Sequence, residues 1–157
     1  MPTDILSFSV IPHVRWSTRP WSVIPNVNDV RLTELVTEFE QKEQFEEPIG
    51  GYGGLLPDYF SYGPLERYFL ADFEPGSYFE KYGIYFLGCH CGEVGCWPLR
   101  GQIITQGDSV IWRNFKQPHR HNRDYSRFGP FVFDIQQYKE SIAKLSADYS
   151  TLTAGPD

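Results

Sequence analysis

The residues best equipped for chemistry in this chain are concentrated in one short stretch, YFLGCHCGEVGCWPL, residues 85–99. It contains all three cysteines, Cys89, Cys91 and Cys96, with His90 between the first two. Thiolates this close can coordinate a soft cation, exchange disulfides or act as nucleophiles, provided the sulfurs meet in space. In a regular strand, Cys89 and Cys91 share one face and His90 points to the other. Cys91 and Cys96 flank Gly92-Glu93-Val94-Gly95 and are expected to face each other across a hairpin. Three sulfurs would then converge. Zinc is the expected ion, with His119 of the later QPHRHNRDY segment as fourth ligand and with a structural role or an open catalytic position. Other readings stand beside it. The spacing C-x-C-x4-C is not the C-x2-C pair of common zinc knuckles, and buried free cysteines need no ion to explain them. A Cys91–Cys96 disulfide also fits the spacing, as does a cysteine nucleophile activated by His119.

A second concentration of chemistry follows in WRNFKQPHRHNRDYSRFGPF, residues 112–131, where Arg113, Lys116, Arg120, Arg123 and Arg127 crowd together. Arginine forks pair bidentately with phosphate or carboxylate, so these five are the candidate anion or partner contacts. The plainer reading pairs them with the chain's own acidic segment or stacks them on neighbouring rings. That segment carries Glu34, Glu38, Glu40, Glu43, Glu46 and Glu47, and its helix presents Glu34, Glu38, Glu43 and Glu46 as a candidate partner-facing surface. The formal net charge of −6 disfavours nucleic acid and anionic membranes as partners. No stretch approaches the ~20 apolar residues of a membrane span. The N-terminus lacks the pattern of a signal peptide, and three clustered cysteines do not make a secreted disulfide framework, so a cytoplasmic location is expected. Neither a P-loop nor G-x-G-x-x-G, H-E-x-x-H or G-x-S-x-G occurs, so no catalytic reaction is assigned.

The elements that must position these residues are legible in part. Residues 5–16 read as an edge or bent strand, limited by Pro12. Asn28-Asp29 between valines reads as a two-residue hairpin turn. Thr33 is placed to cap a helix whose apolar stripe is Leu32, Leu35, Val36 and Phe39, with glutamates on the other face and an end by Pro48. Residues 48–64, rich in Gly, Pro and Tyr, read as a long loop without regular structure. LERYFLADF is compatible with a helical turn or a strand. From Tyr82 onward, a meander of three strands is predicted, turning at GEVG and at Gly107-Asp108, with GPFVFD as a further extended piece. Asp134 caps the last helix, Gln137 completes a capping box, and Ile135, Tyr138, Ile142 and Leu145 form its buried stripe. The tail from about residue 150 is expected to fray. The fold class is α+β: an antiparallel sheet of hairpins and meander packed by two amphipathic helices in one domain spanning residues 1–157.

The strings GCHCGEVGCWPL, VIWRNFKQPHR, RDYSRFGPFVFD and QYKESIAKL resemble a family of short bacterial proteins. That family shares a cysteine-rich hairpin, a Gln-Pro-His-Arg segment, an aromatic Gly-Pro-Phe strand and a closing helix. The resemblance covers about residues 82–145, and NDVRLTELVTEFE is similar to the family's entry into its first helix. It points to Cys89, Cys91, Cys96, Gln117, Pro118, His119 and Arg120, and implies that hairpin and basic loop belong together, without naming a reaction. His90 departs from its pattern. With 17% aromatic residues and an acidic helix, the leading expectation is a binding protein that docks on a partner, a basic one such as a nuclease toxin, in the manner of small immunity proteins. The alternative is the zinc protein with its Cys3His site.

Overall fold

The strand and helix periods of the sequence resolve, in a computed structural model that describes residues 3–13 and 20–154, into two antiparallel sheets and four helices. The α+β class holds. The first sheet has the order β1-β2-β3, from β1 (Leu6–Pro12), β2 (Trp21–Val27) and β3 (Val30–Arg31). Pro12 ends an edge strand, as its missing N–H requires. The expected extended run over residues 14–16 lies outside the described residues. Asn28 and Asp29 take φ of 54° and 67°, the left-handed pair that a tight two-residue hairpin demands.

Helix α1 (Leu32–Lys42) begins one residue before Thr33. Arg31 sits at the cap position without a side-chain bond, and Thr33 lies within the first turn, where its carbonyl accepts from the Thr37 hydroxyl at 2.7 Å. The capping role expected of Thr33 is therefore not filled. Leu32 and Val36 are fully buried, with Leu35 and Phe39 packed against the core. One glutamate breaks the expected division of faces, because Glu40 is as buried as Val36.

The second sheet has the order β4-β5-β6-β7-β8, from β4 (Tyr52–Gly53), β5 (Ile84–Cys89), β6 (Leu99–Gln106), β7 (Ser109–Lys116) and β8 (Phe131–Asp134). The short β4 lies inside the segment read as pure loop, where Tyr52 and Gly53 pair with Cys89 and Gly88. Two further one-turn helices, α2 (Leu65–Phe69) and α3 (Tyr78–Tyr82), bring the helix number above the two expected. LERYFLADF resolves as the helical alternative. Two bridges stitch the sheets together, Val23 to Leu55 and Asp4 to Phe133.

The core lies between the sheets and α4 (Ile135–Ala154). Phe86, Trp112, Phe115 and Phe133 pack ring on ring, with centroids 4.7–5.1 Å apart. Tyr138 ties this cluster to the helices, accepting from Trp112 Nε1 at 3.0 Å and donating to the Phe69 carbonyl. Alternation in β7 slips by one at Asn114, which adopts φ of 57°, so Trp112 and Phe115 both face inward. Asp134 caps α4 as expected, accepting from the amides of Gln136 and Gln137. Gln137 does not close a capping box. Its amide instead clamps β1, accepting from Leu6 N at 3.0 Å and donating to Leu6 O at 2.8 Å. Residues 150–154, expected to fray, continue the helix.

Candidate metal centre

The cysteines sit where β5 ends and the chain turns toward β6. Cys89 is the last residue of β5, and Gly92 N donates to the Cys89 carbonyl at 3.0 Å, closing a turn around His90 and Cys91. A second turn follows at once, with Cys96 N on the Glu93 carbonyl at 3.1 Å. Two successive turns thus replace the expected hairpin around a four-residue loop. Cys91 reaches Cys89 because the chain curls, not because strand alternation places them on one face. Gly92 supplies the required φ of +102°, and Gly88 offers bare backbone where a Cβ would press on Val94 at 3.2 Å.

The three sulfurs lie within 4.8 Å of one another, close enough to bind a metal ion. They differ in environment: Cys89 is buried, Cys91 intermediate and Cys96 exposed. Burial pushes the Cys89 thiol up to about 12. Burial works against the Cys91 thiolate too, but the Glu93 backbone and hydrogen bonds with the Cys89 and Cys96 thiols outweigh it, and Cys91 falls below the ordinary thiol range. Of the two inner cysteines, Cys91 is therefore the one whose ionisation its surroundings favour. On this basis iodoacetamide should alkylate Cys91 fastest at pH values below about 8.5, the ordinary thiol midpoint, and Cys89 last. Peptide mapping of partly alkylated protein checks the order, and equal labelling of Cys89 and Cys91 would contradict it.

Both sides of the turn are pinned by distant loops. His90 leaves the cluster, as expected, and its backbone N and ring Nδ1 both meet the Gly51 carbonyl, at 2.9 and 2.8 Å. Trp97 Nε1 donates to the Gly50 carbonyl at 2.8 Å. On the other side, Gln117 donates to the Pro98 carbonyl at 2.8 Å, so the cysteine turn and the Gln-Pro-His-Arg segment do pack together. His119 also approaches, but it lies outside the sulfur group. Its Nε2 is 2.8 Å from the Gly95 carbonyl and its ring stacks on Trp97, 17° from parallel.

The basic loop resolves largely by the plainer reading. Arg123, which sequence reasoning placed among five candidate anion contacts, has its side chain 3% exposed and pairs with Glu40 at 3.2 Å. It also donates to the carbonyls of Glu46 and Pro48 and lies over the rings of Phe45 and Trp97. Arg127 pairs with Glu43 at 2.6 Å and Arg120 stacks on Trp97. Arg113 and Lys116 stay exposed on β7. Of the candidate partner-facing glutamates, Glu34 and Glu38 lie exposed on α1, Glu38 with Lys42 at 3.0 Å, while Glu43 and Glu46 lie beyond the last helical residue.

Glu40 is the residue that sequence reasoning missed. Its carboxylate accepts from Gly50 N at 2.8 Å and from the hydroxyls of Tyr52 and Tyr125, each at 2.6 Å, in addition to Arg123. Its position on the buried stripe, four residues after Val36, was the available signal. Through Gly50 this network holds the loop whose carbonyls receive Trp97 and His90. Arg100 of β6 was also passed over: it is buried between Tyr78 and Tyr85, donating to the Tyr78 hydroxyl and the Gly83 carbonyl. No family model, curated protein or solved structure matches this chain. Among the described residues, no helix is long and apolar enough to cross a membrane.

Proposed function

We propose that this protein binds a zinc ion through Cys89, Cys91 and Cys96. The observation that carries the reading is the convergence of the three sulfurs within 4.8 Å. Zinc–sulfur bonds of ~2.3 Å in a tetrahedral site hold sulfurs ~3.8 Å apart, so an ion needs a contraction of no more than ~1 Å. The surroundings of Cys91 favour its ionised form, and metal binding displaces whatever thiol protons remain in the donor set. The fourth position falls to a solvent molecule or a bound ligand, because His119 is engaged with the Gly95 carbonyl. Docking through the acidic segment has less behind it, since Lys42 takes Glu38, Arg127 takes Glu43 and Arg123 takes Glu40.

Elemental analysis of untagged protein, followed by cadmium titration read through thiolate charge-transfer absorbance, tests the proposal. The expected result is one ion per chain, lost in Cys91→Ser and retained in His119→Ala. Less than about a tenth of an equivalent after zinc loading would end it. Equal loss in His119→Ala would replace the three-sulfur site by a Cys3His one.

A further inference from the structure

We propose that the cavity beside the cysteine turn binds a small quaternary ammonium cation. The cavity, about 520 Å³, lies between the aromatic segment around Tyr59 to Tyr62 and the backbone of Gly92 to Gly95. Leu56, Phe60, Tyr62 and Tyr85 supply much of its wall, and Glu93 is the one residue of the lining that carries a formal charge. Neither lysine, arginine nor histidine joins it.

The rings are not stacked flat. Phe60 stands at 85° to Tyr85 with centroids 6.0 Å apart, and at 44° to Tyr62 with centroids 4.7 Å apart. The rings of Phe60, Tyr62 and Tyr85 therefore meet at angles in the cavity lining, and aromatic π faces attract alkylammonium groups by cation–π interaction. Arg100 already lies over Tyr85, 4.4 Å from its centroid, so Phe60, Tyr62 and Glu93 carry most of the attraction for a second cation. Exposure is consistent with a seat for a ligand: Phe60 is 37% exposed although it borders the fully buried core.

Charge and donor chemistry select the ligand class. Glu93, exposed on the turn, repels anions and offers a single carboxylate. A quaternary ammonium brings no N–H donors and buries its methyl groups against carbon, which suits a lining made mainly of aromatic and aliphatic residues. The volume exceeds a trimethylammonium head, leaving room for a short tail. This site shares the turn with the sulfur cluster but uses none of the cysteines, so it stands whether or not zinc is bound.

Choline is the probe, titrated into the full chain by calorimetry, with and without zinc. Its uncharged isostere 3,3-dimethylbutan-1-ol separates charge from shape, and benzoate serves as the anionic control. Saturable binding of one choline per chain is expected, with the alcohol weaker by about tenfold and benzoate inert. Glu93→Gln, on the exposed turn, should weaken choline by about tenfold while leaving the alcohol unchanged. Phe60→Ala should weaken both ligands, with its unfolding midpoint measured alongside. Equal affinity for choline and the alcohol, an unaffected Glu93→Gln variant, or a response that never saturates would each overturn the proposal.

Discussion

Glu40→Ala is expected to destabilise the protein by about 3–5 kcal/mol, more than any exposed charge substitution. The carboxylate is fully buried and has four partners, so its removal strands all of them at once. Arg123 would keep a guanidinium with a 3% exposed side chain and no counterion. The hydroxyls of Tyr52 and Tyr125 would lose their acceptor, as would Gly50 N. Burial and the neighbouring carboxylate raise Tyr125 to about 12 in the intact protein, and with Glu40 removed burial still opposes the phenolate that could neutralise Arg123. Urea unfolding gives the loss, and a value below about 1 kcal/mol would show that the network is not what holds these loops. Glu40→Gln keeps an acceptor oxygen while removing the charge, and should fall between wild type and alanine. In a double-mutant cycle, removing Arg123 as well should cost less than the sum of the two single losses. The damage should reach the cysteines too, because Gly50 and Gly51 hold Trp97 and His90.

Zinc loading is the second large effect. An ion that binds only the folded chain, at about a thousand times its dissociation constant, adds about 4 kcal/mol to stability. For a chain of 157 residues that is a rise in Tm of roughly 10 °C. The metal-free protein should remain folded, because the turn is already held by His90, Trp97, Gln117 and His119. Scanning calorimetry with zinc and then with a chelator measures both states. A rise that persists in Cys91→Ser would locate the ion elsewhere, and the absence of a rise in wild type would deny the site. Complete unfolding on chelation would show instead that the ion nucleates the fold.

These two effects were not equally visible in the amino-acid order. The cysteines are close in the chain, so any tight turn brings them together, and their meeting was legible even though the turn was expected to be a hairpin. The Glu40–Arg123 pair was not. Glu40 was counted among six crowded glutamates and Arg123 among five crowded cations, and nothing local distinguishes either from its neighbours. The same holds for Gln137, whose position three residues after Asp134 fits a capping box as well as the clamp on Leu6 that it forms.

What the sequence determined by itself is local. Short β-branched and aromatic runs bounded by turn residues set β5 to β8, the 3.6-residue stripes set α1 and α4, and Asn28-Asp29 and Gly107-Asp108 set two turns, because strand propensity and backbone sterics act over a few residues. The tertiary structure alone decided which charge goes inside and what the histidines face. Burying a carboxylate is costly unless distant donors reach it, so Glu40 could be placed only once the segments bearing Gly50, Tyr52, Arg123 and Tyr125 had closed over α1. His119 stacks on Trp97 and meets the Gly95 carbonyl for the same reason: the packing of a loop that starts beyond β7, not its spacing from the cysteines, sets where its ring lies.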